Sequence, residues 1–170
     1  TTGTRNVSSG YQALYSNTTG DYNVANGSQA LYTNTTGSNN VAVGKAALYL
    51  NTTASSNTAI GDAALYANTT GNRNVAVGRM ALYANTTGLG IVAIGYDCLN
   101  ANTAHESTAV GFQALKANTS GAGNSAFGAN ALDANTTGSK NTALGYATLS
   151  ANTTGVENTA TFTCCALALV

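Results

Sequence analysis

Glycines at positions 10, 27, 44, 61, 78, 95, 111, 128 and 145 return every 17 residues, with one step of 16 between Gly95 and Gly111. A period held this strictly makes the chain a stack of similar units, and the question becomes what one unit can fold into. Two steps match a helix-pair repeat of about 34 residues. The unit itself argues against helices. From Asn74 to Gly90 it reads Asn-Val-Ala-Val-Gly-Arg-Met-Ala-Leu-Tyr-Ala-Asn-Thr-Thr-Gly-Leu-Gly, whose glycines and Asn-Thr-Thr corner leave no uninterrupted helical stretch. What it offers is a short β-branched segment (Val75-Ala76-Val77), a glycine break, a second segment (Ala81-Leu82-Tyr83) and the Asn-Thr-Thr-Gly corner. The chain is therefore expected to be all-β: a parallel β-solenoid, or β-roll, of 17-residue coils with two short strands per coil.

Stacked coils lie ~4.8 Å apart, so equivalent side chains form rows along the axis. About nine coils would make a rod ~43 Å long. The row Leu14, Leu31, Leu48, Leu65, Leu82, Leu99, Leu115, Leu132 and Leu149 is unbroken and is expected inside, nearly inaccessible. Each leucine follows a small residue, from Ala13 to Thr148, which marks a tight place. Val43, Ile60, Val77, Ile94, Val110, Phe127 and Leu144 are expected to complete the interior. By alternation, Ala42, Ala59, Ala76, Ala93, Ala109, Ala126 and Ala143 then lie on the opposite face, where another backbone could approach.

The repeat domain is expected over 1–161, beginning in mid-repeat because Thr1-Thr2-Gly3 is in phase with Thr18-Thr19-Gly20. An irregular apolar segment, 162–170, follows as a cap or oligomer contact. The phase slip at Asn102-Thr103-Ala104-His105-Glu106 reads as a tolerated corner deletion. Charged residues make up only 7% of the chain, six basic against six acidic, so hydration rests on Thr, Asn and Ser, on association, or on attached glycan. That balance argues against nucleic acid and acidic membranes as partners. This stretch contains no signal peptide and no apolar run long enough to insert in a membrane.

The Asn-(Val/Thr)-Ala-(Ile/Val)-Gly unit, as in Asn57-Thr58-Ala59-Ile60-Gly61 and Asn74-Val75-Ala76-Val77-Gly78, resembles the head repeats of YadA-like trimeric autotransporter adhesins. The phrase Gly-Tyr-x-(Ala/Thr)-Leu followed by Asn-Thr-Thr-Gly, at Gly10 to Gly20 and Gly145 to Gly155, is similar to repeats of phage and viral tail fibres. The resemblance spans most of the chain. It implies a left-handed roll, assembled as a trimer, that forms or displays a receptor-binding surface. The longer period and the Asn-Thr-Thr-Gly corner depart from the adhesin head, and neither a membrane anchor nor a coiled-coil stalk is expected within this stretch.

The corner asparagines Asn17, Asn34, Asn51, Asn68, Asn85, Asn102, Asn118, Asn135 and Asn152 suit a structural ladder. Most also stand in Asn-Thr-Thr or Asn-Thr-Ser, a formal glycosylation acceptor. Tyr15, Tyr32, Tyr49, Tyr66 and Tyr83 hold one position in five successive coils before Asn100, Lys116, Asp133 and Ser150 replace them. A core position would not accept that switch. The row is expected at the surface or a subunit seam, stacked between coils, and as an aromatic stripe it is a candidate ligand-binding site for carbohydrate. Catalysis has little support: Asp21, Asp62, Asp97, Asp133, Glu106 and Glu157 are scattered and His105 is the only histidine. No cofactor or metal is implied. Cys98 reads as a buried small residue, and Cys164 with Cys165 as a possible inter-subunit crosslink.

These features point to a non-enzymatic structural or interaction protein, extracellular or on a cell or virion surface. Its expected partners are copies of itself, in a lateral trimer or an end-to-end filament, and a host-surface glycan or protein receptor. The same rows admit a self-assembling extracellular filament, or an ice- or surface-binding protein built on the rows of Thr18 and Thr19. Against ice binding, sequential threonines point to opposite faces of an extended strand, so Thr52, Thr69 and Thr86 are expected to serve in corner hydrogen bonding.

Overall fold

The computed structural model describes residues 2–161; Thr1 and the segment 162–170, with Cys164 and Cys165, lie outside the described residues. The described chain is all-β and contains no helix. Its ten strands are β1 (Val7–Ser9), β2 (Val24–Asn26), β3 (Val41–Val43), β4 (Thr58–Ile60), β5 (Val75–Val77), β6 (Val92–Ile94), β7 (Thr108–Val110), β8 (Ser125–Phe127), β9 (Thr142–Leu144) and β10 (Thr159–Thr161). They form one parallel sheet in chain order, each pairing with the next residue for residue: Val41 with Thr58, Ala42 with Ala59, Val43 with Ile60. Equivalent residues can meet this way only if the chain closes one turn per repeat, so the fold is a β-solenoid. The missing residue of the short coil is removed at the corner near Ala104, and Val92 still pairs with Thr108.

Each coil has one strand, not the two that the sequence suggests. The second segment is hydrogen-bonded to both neighbouring coils, Ala63 N–H to Lys45 O at 2.9 Å and Leu65 N–H to Ala81 O at 2.9 Å, yet it is not extended. Ala63 and Leu65 each have φ of 54°, in the left-handed region. This winding turns two consecutive side chains, Ala64 and Leu65, into the interior, which the alternation of a strand cannot do. A further left-handed residue recurs at Arg73 (φ 59°) and its equivalents. No β-branched residue occupies any of these three positions, because a second substituent on Cβ is strongly disfavoured there. Leucine fills the inward one with the largest aliphatic group that leaves Cβ unbranched.

The two faces of the strand are the reverse of the sequence expectation. Ala25, Ala42, Ala59, Ala76, Ala93, Ala109, Ala126 and Ala143 are completely buried, whereas Val43, Ile60, Val77, Ile94, Val110, Phe127 and Leu144 face outward. Ile60 is 41% and Leu144 48% exposed. The coil is narrow: the leucine row and two rows of asparagine fill it, leaving room for only a methyl group on the strand side. The leucines from Leu31 to Leu132 are fully buried, while Leu14 and Leu149 pack at the margins of the core. Close backbone approach falls instead at the glycine corner. Gly61 has φ of 135°, and a Cβ on it would lie 2.6 Å from Gly78 O.

Candidate functional site

Short coils stacked in register leave little room for a cleft, so the candidate sites are rows. The corner asparagines turn inward because their amides close the turn. Asn68 Nδ2 donates to Gly71 O at 2.9 Å and to Asn51 Oδ1 at 3.0 Å, while Asn68 Oδ1 accepts from Asn85 Nδ2 at 3.0 Å. Asn34, Asn51, Asn118 and Asn135 repeat this pattern fully buried, with Asn17 and Asn152 at the two margins. A glycan would be attached to Nδ2, the atom that holds both bonds, and the folded interior has no space for one.

A second asparagine row escaped the sequence reading. Asn23, Asn40, Asn57, Asn74, Asn124 and Asn141, each just before a strand, are fully buried. Asn57 Nδ2 donates to Gly71 O at 2.9 Å, so both asparagines of a coil converge on one carbonyl. Asn57 Oδ1 accepts the backbone N–H of Asn74 at 2.9 Å. The signal lay in the Asn-(Val/Thr)-Ala phrase, where asparagine had served only as a family marker.

All the polar rows stop at one junction. Ile91 stands where the second asparagine row should continue, and Asn85 Oδ1 accepts from Gly88 N–H at 3.0 Å in place of an amide from Asn102. Asn102 Nδ2 instead reaches Ala104 O at 3.0 Å. In the threonine row, Thr52 Oγ1 donates to Thr69 O at 3.1 Å and Thr69 Oγ1 to Thr86 O at 3.0 Å, each bonding the next coil. That row resumes only at Thr103, which donates to Thr119 O at 2.9 Å. The second threonine row, Thr53, Thr70 and Thr87, is exposed.

The tyrosine ladder ends at the same place. Tyr15, Tyr32, Tyr49, Tyr66 and Tyr83 stack with centroids 5.1–5.4 Å apart and planes within 13°. Each inner ring has both faces against its neighbours and presents edges and hydroxyls to solvent. Burial, then the charge that Tyr83 and Tyr49 would carry as phenolates, raises the Tyr66 pKa. A sugar stacks on an open ring face, which the inner rings of this ladder do not offer. Beyond Tyr83 the position turns polar: Asn100 Nδ2 donates to Met80 O at 3.2 Å, and Lys116 lies 3.6 Å from Asp97.

Past the junction, aromatic side chains concentrate in the row just after the glycine corner. This row runs Tyr11, Ser28, Lys45, Asp62, Arg79, Tyr96, Phe112, Ala129, Tyr146. Arg79 pairs with Asp62 at 3.5 Å and lies 5.6 Å from the centroid of the Tyr96 ring, which stacks on Phe112 at 5.5 Å.

The acids do not gather. Asp62, Asp97 and Glu157 each pair with a cation, and Asp21, its pKa lowered first by the Thr4 backbone N–H, caps the preceding coil. His105 Nδ1 accepts from Leu89 N–H at 3.2 Å. Among the described residues there is neither a cluster of metal-binding side chains nor a helix long and apolar enough to cross a membrane. Cys98 is fully buried, its Sγ donates to Ala109 O at 3.3 Å, and burial pushes the thiol up from 9.0 to about 12. It should therefore resist thiol reagents at mildly alkaline pH until the chain unfolds. Mass spectrometry after alkylation checks this, and modification of Cys98 in the folded chain would contradict it. Because the unfolded thiol ionises above about 9 and the folded one near 12, stability should also decline with rising pH between these values.

Fold and rows together define a β-solenoid whose accessible chemistry lies on exposed side-chain rows. Compared with protein-family models, curated proteins and solved structures, the chain finds no match.

Proposed function

We propose that this chain is a rigid segment of an extracellular or virion-surface fibre, of adhesin or tail-fibre type, which associates laterally with copies of itself and presents a receptor-binding surface. The observation that carries the reading is the outward face of the sheet. Val41, Val43, Val75, Val77, Val92, Ile94 and Val110, with Thr58, Ile60 and Thr108 among them, make an uncharged strip along the rod. With Phe127 and Leu144 continuing it, the strip covers the seven strands β3 to β9; at ~4.8 Å per strand and about 10 Å across it amounts to roughly 340 Å², a size at which apolar patches on monomers serve as contacts. The inward alanines keep each coil thin, so an isolated rod has a small core and most to gain from covering this strip.

Sedimentation at micromolar concentration is expected to give a defined oligomer, with a trimer at three times the 16.9 kDa chain mass as the first choice. Val77→Lys with Ile94→Lys places charges in the strip and should yield folded monomer. A stable monomer of the unaltered chain would overturn lateral association. Filaments of indefinite length by electron microscopy would replace it with axial stacking.

A further inference from the structure

We infer that the row beyond the glycine corner carries a binding slot for one ring of an uncharged saccharide, formed by Phe112, Ala129 and Tyr146 with Gln113 and Asn130 at its rim. Backbone bonds of 2.9 Å, from Asn130 N–H to Phe112 O and from Ala147 N–H to Ala129 O, stack these three coils in register. Phe112 has Tyr96 on one side at 5.5 Å, but the next rung is an alanine, and the following one is Tyr146. Phe112 is 50% and Tyr146 61% exposed. Two coil steps separate them, ~9.6 Å. A ring inserted over Ala129 would lie ~4.8 Å from each, within the usual range for stacked rings. The slot has the dimensions of one missing rung.

The rim selects the class of ring. Gln113 and Asn130 are partly exposed, and neither side chain has a hydrogen-bond partner among the described residues. At the equivalent position near the other end, Gln29 Nε2 donates to Gln12 Oε1 at 3.2 Å. Two free amides offer both donors and acceptors to hydroxyl groups, while the aromatic rings take the C–H face of a sugar. The slot's five residues carry no charge; Asp97 is paired with Lys116, and Asp133, three residues after Asn130, adds a carboxylate with one buried, unpartnered oxygen. An anionic sugar therefore finds no counter-charge. Ahead of the junction the row carries Tyr11, Ser28, Lys45, Asp62 and Arg79; beyond it three of four positions are aromatic, Ala129 being the exception.

This inference deepens the reading of a surface-presenting rod, and the two fail separately because the slot lies one glycine beyond the strip proposed for association. Saturation-transfer NMR with lactose, maltose and cellobiose, and with sialyllactose as the anionic control, should show transfer to at least one neutral disaccharide, centred on the C–H protons of a single ring. Ala129→Tyr fills the missing rung with a residue the row already accepts, and should weaken binding at least about tenfold with sedimentation unchanged. Gln113→Ala should weaken it less, and Tyr49→Ala, on the other ladder, not at all. The inference is overturned by no transfer from any neutral disaccharide, by transfer that survives Ala129→Tyr, or by sialyllactose binding alone. An oligomer that binds no sugar would leave the fibre reading intact.

Discussion

An aspartate in place of Asn68 is expected to cost about 3–5 kcal/mol at neutral pH, the scale of an uncompensated buried charge. The shape is preserved, but both hydrogens of Nδ2 are lost. An oxygen then faces Asn51 Oδ1 and Gly71 O across distances of 3.0 and 2.9 Å with no cation nearby. Burial and these lone pairs hold the folded carboxyl above its ordinary value. With an acid whose folded pKa is raised, the unfolded chain ionises first. The loss therefore sets in as pH rises through ~3.9 and is complete above the folded pKa. Below both, the protonated carboxyl regains one donor and the variant recovers much of its stability. Urea unfolding of both proteins from pH ~3 to ~8 tests this, and a difference that does not change with pH would refute the buried ladder.

Leu65→Val should cost about 2–4 kcal/mol, well beyond the ~0.8 kcal/mol of one buried methylene, because the branched side chain must enter the left-handed region. Leu65→Met, unbranched at Cβ, should stay within about 1.5 kcal/mol. Thermal unfolding followed by circular dichroism separates these outcomes. If valine and methionine were equally tolerated, the left-handed φ of 54° at Leu65 would not be what selects leucine.

The period and the parallel stack were legible in the sequence because glycine and leucine return in phase, and phase alone brings equivalent residues together. What hydrophobicity misjudged was the inside of the strand. Val77 looks like core and Ala76 like a gap, and the order inverts because the space left beside Leu82 and the asparagines admits only a methyl group. The second strand was misread for a related reason. Ala81-Leu82-Tyr83 has strand-like composition, but nothing in a residue's hydropathy announces alternating left-handed φ, and the clue was the absence of Val, Ile and Thr at Met80 and Leu82. Of the candidate sites, the tyrosine row was visible as a row. That its inner faces are closed by mutual stacking depends on ring orientation, which spacing does not encode. The gap at Ala129 becomes a slot only once Phe112 and Tyr146 are known to flank it.

The junction at Ile91 gives the rod a mechanical character. Stability in a stack of coils is a sum of coil and interface terms, so load concentrates on the interface with fewest bonds. Between the coils containing Asn85 and Asn102 the axial amide contacts are absent in both asparagine rows, while the backbone pairing of β6 and β7 persists on the far side. A rod pulled along its axis would part there first, yielding two shorter rods that each keep their own continuous ladders. Each coil unravelled after that would release roughly 55–60 Å of chain. The short coil is thus a fuse: under tension the rod lengthens at one point and keeps its faces on either side.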